Sequence, residues 1–160
     1  MCDKFDGVQL LPKGVKTTIG GFKVQPLAIK HNIENYAYII THESMGKLVF
    51  ALDCEEFLYK IRDVNHWIIE ANHDWETILD NALANERSAS ASENHLSIDQ
   101  CLDALLTNQC DSTTTIVLSH LSDNNSNAIK FIERVKSALG IERTYIADNK
   151  LDIELWNKQD

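Results

Sequence analysis

Apolar and polar residues alternate through the first third of the chain, a period-two pattern that predicts strands. Val15 to Ile19 reads as a short strand, Gly20-Gly21 as a tight turn, and Phe22 to Ile29 as a half-buried strand. Pro26 predicts an edge or a bulge, because proline cannot donate to a ladder. Tyr36–Ile40 and Lys47–Leu52 are the next strands, joined by a turn over His42–Gly46. The polar loop His31–Asn35 lies inside this β-meander, and Asp53 ends its last strand.

Beyond Asp53 the pattern changes. Glu55–Ile61 is predicted as a short helix, and His66–Ala71 as a strand leading into Asn72-His73-Asp74. Asp74 is a good N-cap for a helix with Glu76 in its first turn and an apolar stripe of Ile78, Leu79, Ala82 and Leu83. Ser88–Ser92 reads as a small-residue loop. Ser97-Ile98-Asp99-Gln100 is a capping box, opening a helix to about Asn108 that buries Ile98, Cys101, Leu102, Leu105 and Leu106. A strand over Thr114–Leu118 and a helix from about Asn125 to Leu139, stopped by Gly140, follow. Strands over Arg143–Ala147 and Leu151–Leu155, joined at Asp148-Asn149-Lys150, close the chain. The expected class is α/β, a mixed sheet with helices packed on one face. One domain over residues 1–160 is expected, with 1–14 irregular.

Composition narrows the function classes. The 160 residues suffice for one real core. A net charge of −9 argues against a broad nucleic-acid-binding surface, which needs clustered Lys and Arg. It leaves a nuclease site open, since metal ions bring their own positive charge. No apolar run approaches a bilayer-spanning length, and Met1–Asp6 lacks the apolar segment of a signal peptide, so a cytoplasmic location without membrane contact is expected. The 4 cysteines form no Cys-x-x-Cys pair and read as free thiols, with Cys54 notable for adjoining Asp53.

Chemistry is expected at strand tips, where open α/β folds place it. His31, Asp53, His73, His95 and His120 each sit at a strand end or a helix start. Any one of these histidines alone is an ordinary loop residue; their shared position is the signal. His42 reads as a turn residue, and His66 as a strand start that faces solvent or caps a loop. Trp67, Trp75 and Trp156 read as packing residues, being scattered and without basic neighbours. No Ser/His/Asp arrangement and no glycine-rich phosphate loop is present.

Five segments in consistent order resemble the metallo-β-lactamase-fold hydrolases of the YycJ-like and phage types. They are His31–Ile40, Phe50–Cys54, Ile69–Asp74, Asn94–Ser97 and Leu118–Ser126. The resemblance implies half of an αββα sandwich over residues 15–155. It also implies His31, Asp53 and His120 as metal ligands, with Asp53 bridging two metals. His73 and His95 would then stand near the site, touching substrate or orienting ligands. The resemblance further implies that Zn2+ or Mn2+ would activate water for hydrolysis of a phosphodiester.

Two departures shape that expectation. Asn32 stands where many relatives carry Asp, and no His-x-His-x-Asp-His occurs anywhere in the chain. Most of the family's ligands come from that motif. His31, Asp53 and His120 alone leave each metal short of the roughly three protein ligands of a catalytic site. The chain is therefore expected to be the C-terminal half of such a hydrolase, inactive alone. An upstream-encoded N-terminal half or a homo-oligomer would cover its exposed apolar face. The alternative is a non-enzymatic dimerising or partner-binding module derived from the same fold.

Overall fold

Two left-handed glycines shape the antiparallel part of the molecule. Gly20 (φ +58°) turns β1 (Thr17–Ile19) into β2 (Phe22–Ile29), and Gly46 (φ +80°) turns β3 (Asn35–His42) into β4 (Gly46–Ala51). At Gly46 a Cβ would also meet the Asn65 side chain 2.3 Å away, whose Oδ1 accepts from the Lys47 amide at 2.8 Å. The remaining elements are β5 (His66–Glu70), α1 (Trp75–Ala84), α2 (Ile98–Thr107), β6 (Thr115–Ser119), α3 (Ala128–Leu139) and β7 (Thr144–Ile146). This computed structural model describes residues 11–84 and 94–155. The expected loop at Ser88–Ser92, most of the expected irregular N-terminal segment, Cys2 and Trp156 lie outside the described residues.

The strands form one seven-stranded mixed sheet in sequence order. Pairing is antiparallel from β1 to β4 and parallel from β4 to β7. Two antiparallel steps make β2 run the same way as β4. The carboxyl ends of β2, β4, β5 and β6 therefore share one edge, and the residues just beyond them are brought into one neighbourhood. Pro26 fits as expected for an edge: β1 ends its pairing at Val24, and the Pro26 carbonyl accepts from the Gly14 amide beyond it.

One sheet face carries the rows Val49–Trp67–Ile116 and Ala51–Ile69–Leu118. These pack with Ile98, Cys101 and Leu105 of α2 and Phe131, Val135 and Leu139 of α3 in one core. α2 opens on the expected capping box, with both the Ser97 and Gln100 hydrogen bonds made. α3 starts at Ala128, capped by Asn127, and ends on left-handed Gly140. The opposite face carries the row Tyr38–Phe50–Ile68–Val117–Tyr145. Of these only Val117 is buried; the others are half-exposed. No helix among the described residues is long and apolar enough to cross a membrane.

Several expectations are corrected. Residues 55–61 form no helix. The segment crosses the core extended: Phe57 is buried, Tyr59 and Ile61 are half-buried, and Leu58 and Lys60 are exposed. Its backbone groups find partners outside itself: Glu55 N–H donates to Lys30 O at 2.9 Å and Ile61 N–H to Asn108 Oδ1 at 2.6 Å. External satisfaction of donors removes the need for a helical ladder. Leu151–Leu155 is not a strand. Leu106, Leu79 and Leu83 are exposed rather than buried, so α1 contributes chiefly Ile78 to the interior. His66 is 1% exposed rather than facing solvent, and its Nε2 donates to the Met45 carbonyl at 2.9 Å, which satisfies the buried donor.

Candidate metal centre

Two strand tips leave the sheet through strained backbone. Asp53, just after β4, has φ +53°, and His120, just after β6, has φ +58°. Asp and His tolerate the left-handed region better than most residues, and such conformations persist where surroundings hold them. Asparagine amides do the holding. Asn35 Nδ2 donates to the Asp53 carbonyl at 2.7 Å, and Asn72 Nδ2 to the His120 carbonyl at 2.8 Å.

Between these tips lies Glu70, the last residue of β5, whose side chain is 0% exposed. Its Oε2 accepts from the Cys54 amide at 2.8 Å. Its Oε1 accepts from His95 Nδ1 at 2.6 Å and from His120 Nδ1 at 2.8 Å. Asp53 Oδ1 lies 3.1 Å from His120 Nδ1 and 3.9 Å from His95 Nδ1. One donor atom from each of Asp53, Glu70, His95 and His120 thus falls within 4.8 Å of every other. His95 reaches this point through pairing that continues past β5. Asn72 N–H donates to Leu96 O, Ile98 N–H donates to His73 O, and His73 bridges Ser97 in parallel.

The sequence reading placed Asp53, His95 and His120 near one rim, and the structure brings these together. Glu70 was missed as a donor. It is the one charged residue of the strand His66-Trp67-Ile68-Ile69-Glu70 and ends it one register step before Asp53 and His120, and that was the available signal. His31 stands beside the group of four. Its ring lies 5.5 Å from that of His95, and its Nδ1 donates to the Asn94 carbonyl at 3.1 Å, which leaves Nε2 as the lone-pair nitrogen. His73 is also outside the group. Its ring is fully buried, neither ring nitrogen has a hydrogen-bond partner among the described residues, and it meets Trp75 edge-on at 4.7 Å. Cys54 is a poor donor, since burial, then the charges of Glu70 and Asp53, push its thiol up to about 12. Cys54, Cys101 and Cys110 are all free thiols.

The donor chemistry fits a divalent ion. Two carboxylates and two imidazoles are the mixed oxygen and nitrogen set that zinc and manganese accept. A buried carboxylate also demands compensating positive charge or several donors.

Two buried histidines outside the group are expected to lower the stability of the fold in acid. Desolvation lowers the pKa of His66; it also lowers that of His73, with the neighbouring His95 charge as a further cause. Below about pH 6.5 the unfolded chain then binds more protons than the folded one, so stability falls as pH drops through that value. Asp74 contributes in a separate, lower window. Burial works most strongly against its charge, but the Lys130 ammonium, the Glu76 amide and the Arg134 charge together outweigh it and hold the carboxyl below its usual range. We expect the urea midpoint to fall between pH 7 and pH 5.5, and less so in His73→Leu. An equal fall in both chains would show that His73 is not a source of it.

No protein-family model matches this sequence, and no curated protein does. Among solved structures, the metallo-β-lactamase fold protein YhfI from Bacillus subtilis is similar, with a TM-score of 0.60 at 16% identity. The similarity covers 86% of this chain and 50% of that one. The chain therefore has a metallo-β-lactamase-like α/β fold, and it spans about half the length of this structural relative.

Proposed function

We propose that the chain is one half of a metal-dependent phosphodiester hydrolase and is inactive without the other half. The observation that carries this reading is the convergence of Asp53, Glu70, His95 and His120 at the carboxyl edge of a metallo-β-lactamase-like sheet. Matching only half of the structural relative supports the need for a complement, as does the lack of any His-x-His-x-Asp-His in the sequence. The half-exposed row Tyr38–Phe50–Ile68–Tyr145 is the surface on which that complement would pack.

In this reading Asp53, His120 and His31 present donors to the active centre. Glu70 fixes the orientation of both His95 and His120 through its Oε1. A bound divalent ion, Zn2+ or Mn2+, would supply Lewis-acid polarisation of a phosphoryl oxygen. His95, with 21% of its side chain exposed, is placed to move a proton at the rim. The chain alone should leave a chromogenic phosphodiester at its background rate with Zn2+ or Mn2+ present. A polypeptide bearing the His-x-His-x-Asp-His half should raise turnover, and Asp53→Ala should abolish the gain. Robust turnover by the lone chain, lost in Asp53→Ala, would refute the half-enzyme reading.

A further inference from the structure

We propose that the cleft between α2 and the extended residues 56–61 binds an extended peptide of about three residues, one of them basic. The site lies apart from the metal centre, includes none of Asp53, Glu70, His95 and His120, and does not depend on the hydrolase reading.

Two side-chain amides of α2 and its cap clamp the ends of the cleft. At one end Gln100 Nε2 donates to the Glu55 carbonyl at 3.0 Å. At the other, Asn108 Nδ2 donates to the Tyr59 carbonyl at 3.0 Å, and Asn108 Oδ1 accepts from the Ile61 amide at 2.6 Å. Between the clamps the walls part and leave about 340 Å3, within the range of ordinary ligand sites. α2 lines this space with Asp103 and Ala104, and the segment lines it with Glu56, Phe57, Leu58 and Lys60.

Backbone chemistry points to a peptide. In an extended chain the backbone groups of successive residues face opposite edges, so those of every second residue share one edge. The Glu55 carbonyl, the Tyr59 carbonyl and the Ile61 amide all face α2. The amide and carbonyl of Phe57, midway between Glu55 and Tyr59, therefore face α2 as well. Phe57 is 6% exposed, yet neither its N–H nor its C=O has a partner among the described residues. Buried backbone groups without partners are costly. A peptide residue in the cleft supplies both partners, its C=O accepting from the Phe57 N–H and its N–H donating to the Phe57 C=O. Length agrees. The clamps stand eight positions apart on the helix, about 12 Å. Extended residues rise about 3.3 Å each, so about three fit between them.

Charge narrows the sequence. Glu56 and Asp103 bring two carboxylates to the cleft and Lys60 brings one ammonium. None of the three is in an ion pair among the described residues. The excess negative charge is complemented by one basic side chain. Leu58, 77% exposed, and Ala104 offer apolar contact to that residue's neighbours.

The test is a titration of the full chain with a valine–arginine–valine tripeptide, acetylated and amidated at its ends, followed through the backbone amide NMR signals. Saturable shifts are expected at Phe57, Leu58, Asp103 and Ala104. The valine–glutamate–valine tripeptide should bind at least about 10-fold more weakly, and so should the arginine peptide with all its amides N-methylated. That factor corresponds to one lost hydrogen bond or charged contact. Asp103→Lys, at an exposed position, should weaken the arginine peptide by a similar factor. Its amide spectrum away from the cleft reports whether it is folded. Should Asp103→Lys misfold, the three peptides on the parent chain decide. Absence of saturable shifts, or shifts that lie outside the cleft, would overturn the proposal. So would equal affinity for either control peptide, or full affinity in folded Asp103→Lys.

Discussion

Replacing Glu70 by alanine is expected to lower stability by about 3 kcal/mol, a large share of the 5–15 kcal/mol typical of a domain. The side chain is fully buried and accepts three hydrogen bonds, from Cys54 N–H, His95 Nδ1 and His120 Nδ1. Alanine strands the Cys54 amide, and an unsatisfied buried donor costs about 1–3 kcal/mol on its own. The two imidazoles are partly exposed and recover water, so their loss adds less. Removing a buried charge gives some of this back, which keeps the estimate from rising further. Glutamine keeps an acceptor for Cys54 and should cost about half as much. Urea titration of the three chains measures the ordering. If alanine and glutamine cost the same few tenths of a kcal/mol, Glu70 does not hold the three strand tips together.

Trp67→Ala should cost still more, about 4 kcal/mol, the range for truncating a buried aromatic. Trp67, the second residue of β5, is 1% exposed. Its ring meets Phe57 edge-on at 5.7 Å, and Phe57 meets Tyr59 at the same distance. Those contacts, with the hydrogen bonds to Lys30 and Asn108, hold the irregular segment after Asp53 against the sheet. The variant should therefore unfold at much lower urea and be cut by protease within residues 55–61 before the rest of the chain is attacked. Trp67→Phe, which preserves an edge contact, should lose about 1–1.5 kcal/mol. A loss under about 1 kcal/mol in the alanine variant would mean that the segment is anchored elsewhere.

The two substitutions probe different layers of one design. Trp67 and its neighbours on β4 and β6 form one row of the core face against which the segment after Asp53 packs. Glu70 then gathers what the strand tips deliver. The buried apolar Trp67 and the charged Glu70 thus sit three residues apart on the same strand.

Much of this was legible in residue order. Alternation from Phe22 to Ile29 defined β2 to the residue, and the Ser97–Gln100 pair placed the start of α2. Asp53 and His120 were readable as strand tips because apolar runs stop at Leu52, directly before Asp53, and at Leu118, two residues before His120. The extended path of residues 55–61 was also readable: Phe57, Tyr59 and Ile61 alternate with Leu58 and Lys60, a period of two that the acidic Glu55-Glu56 start obscured.

What the chain determined by itself was local: which residues alternate, where helices are capped, and which polar groups end apolar runs. Periodicity carries that information because burial of one face is decided within a few residues. The tertiary structure alone decided that Glu70 meets His95 and His120, 25 and 50 positions away. It also decided that His66 is buried and that Leu79 and Leu83 are exposed. Those outcomes depend on how strands pair across crossovers and on which neighbours satisfy a buried donor, and no window of adjacent residues contains either.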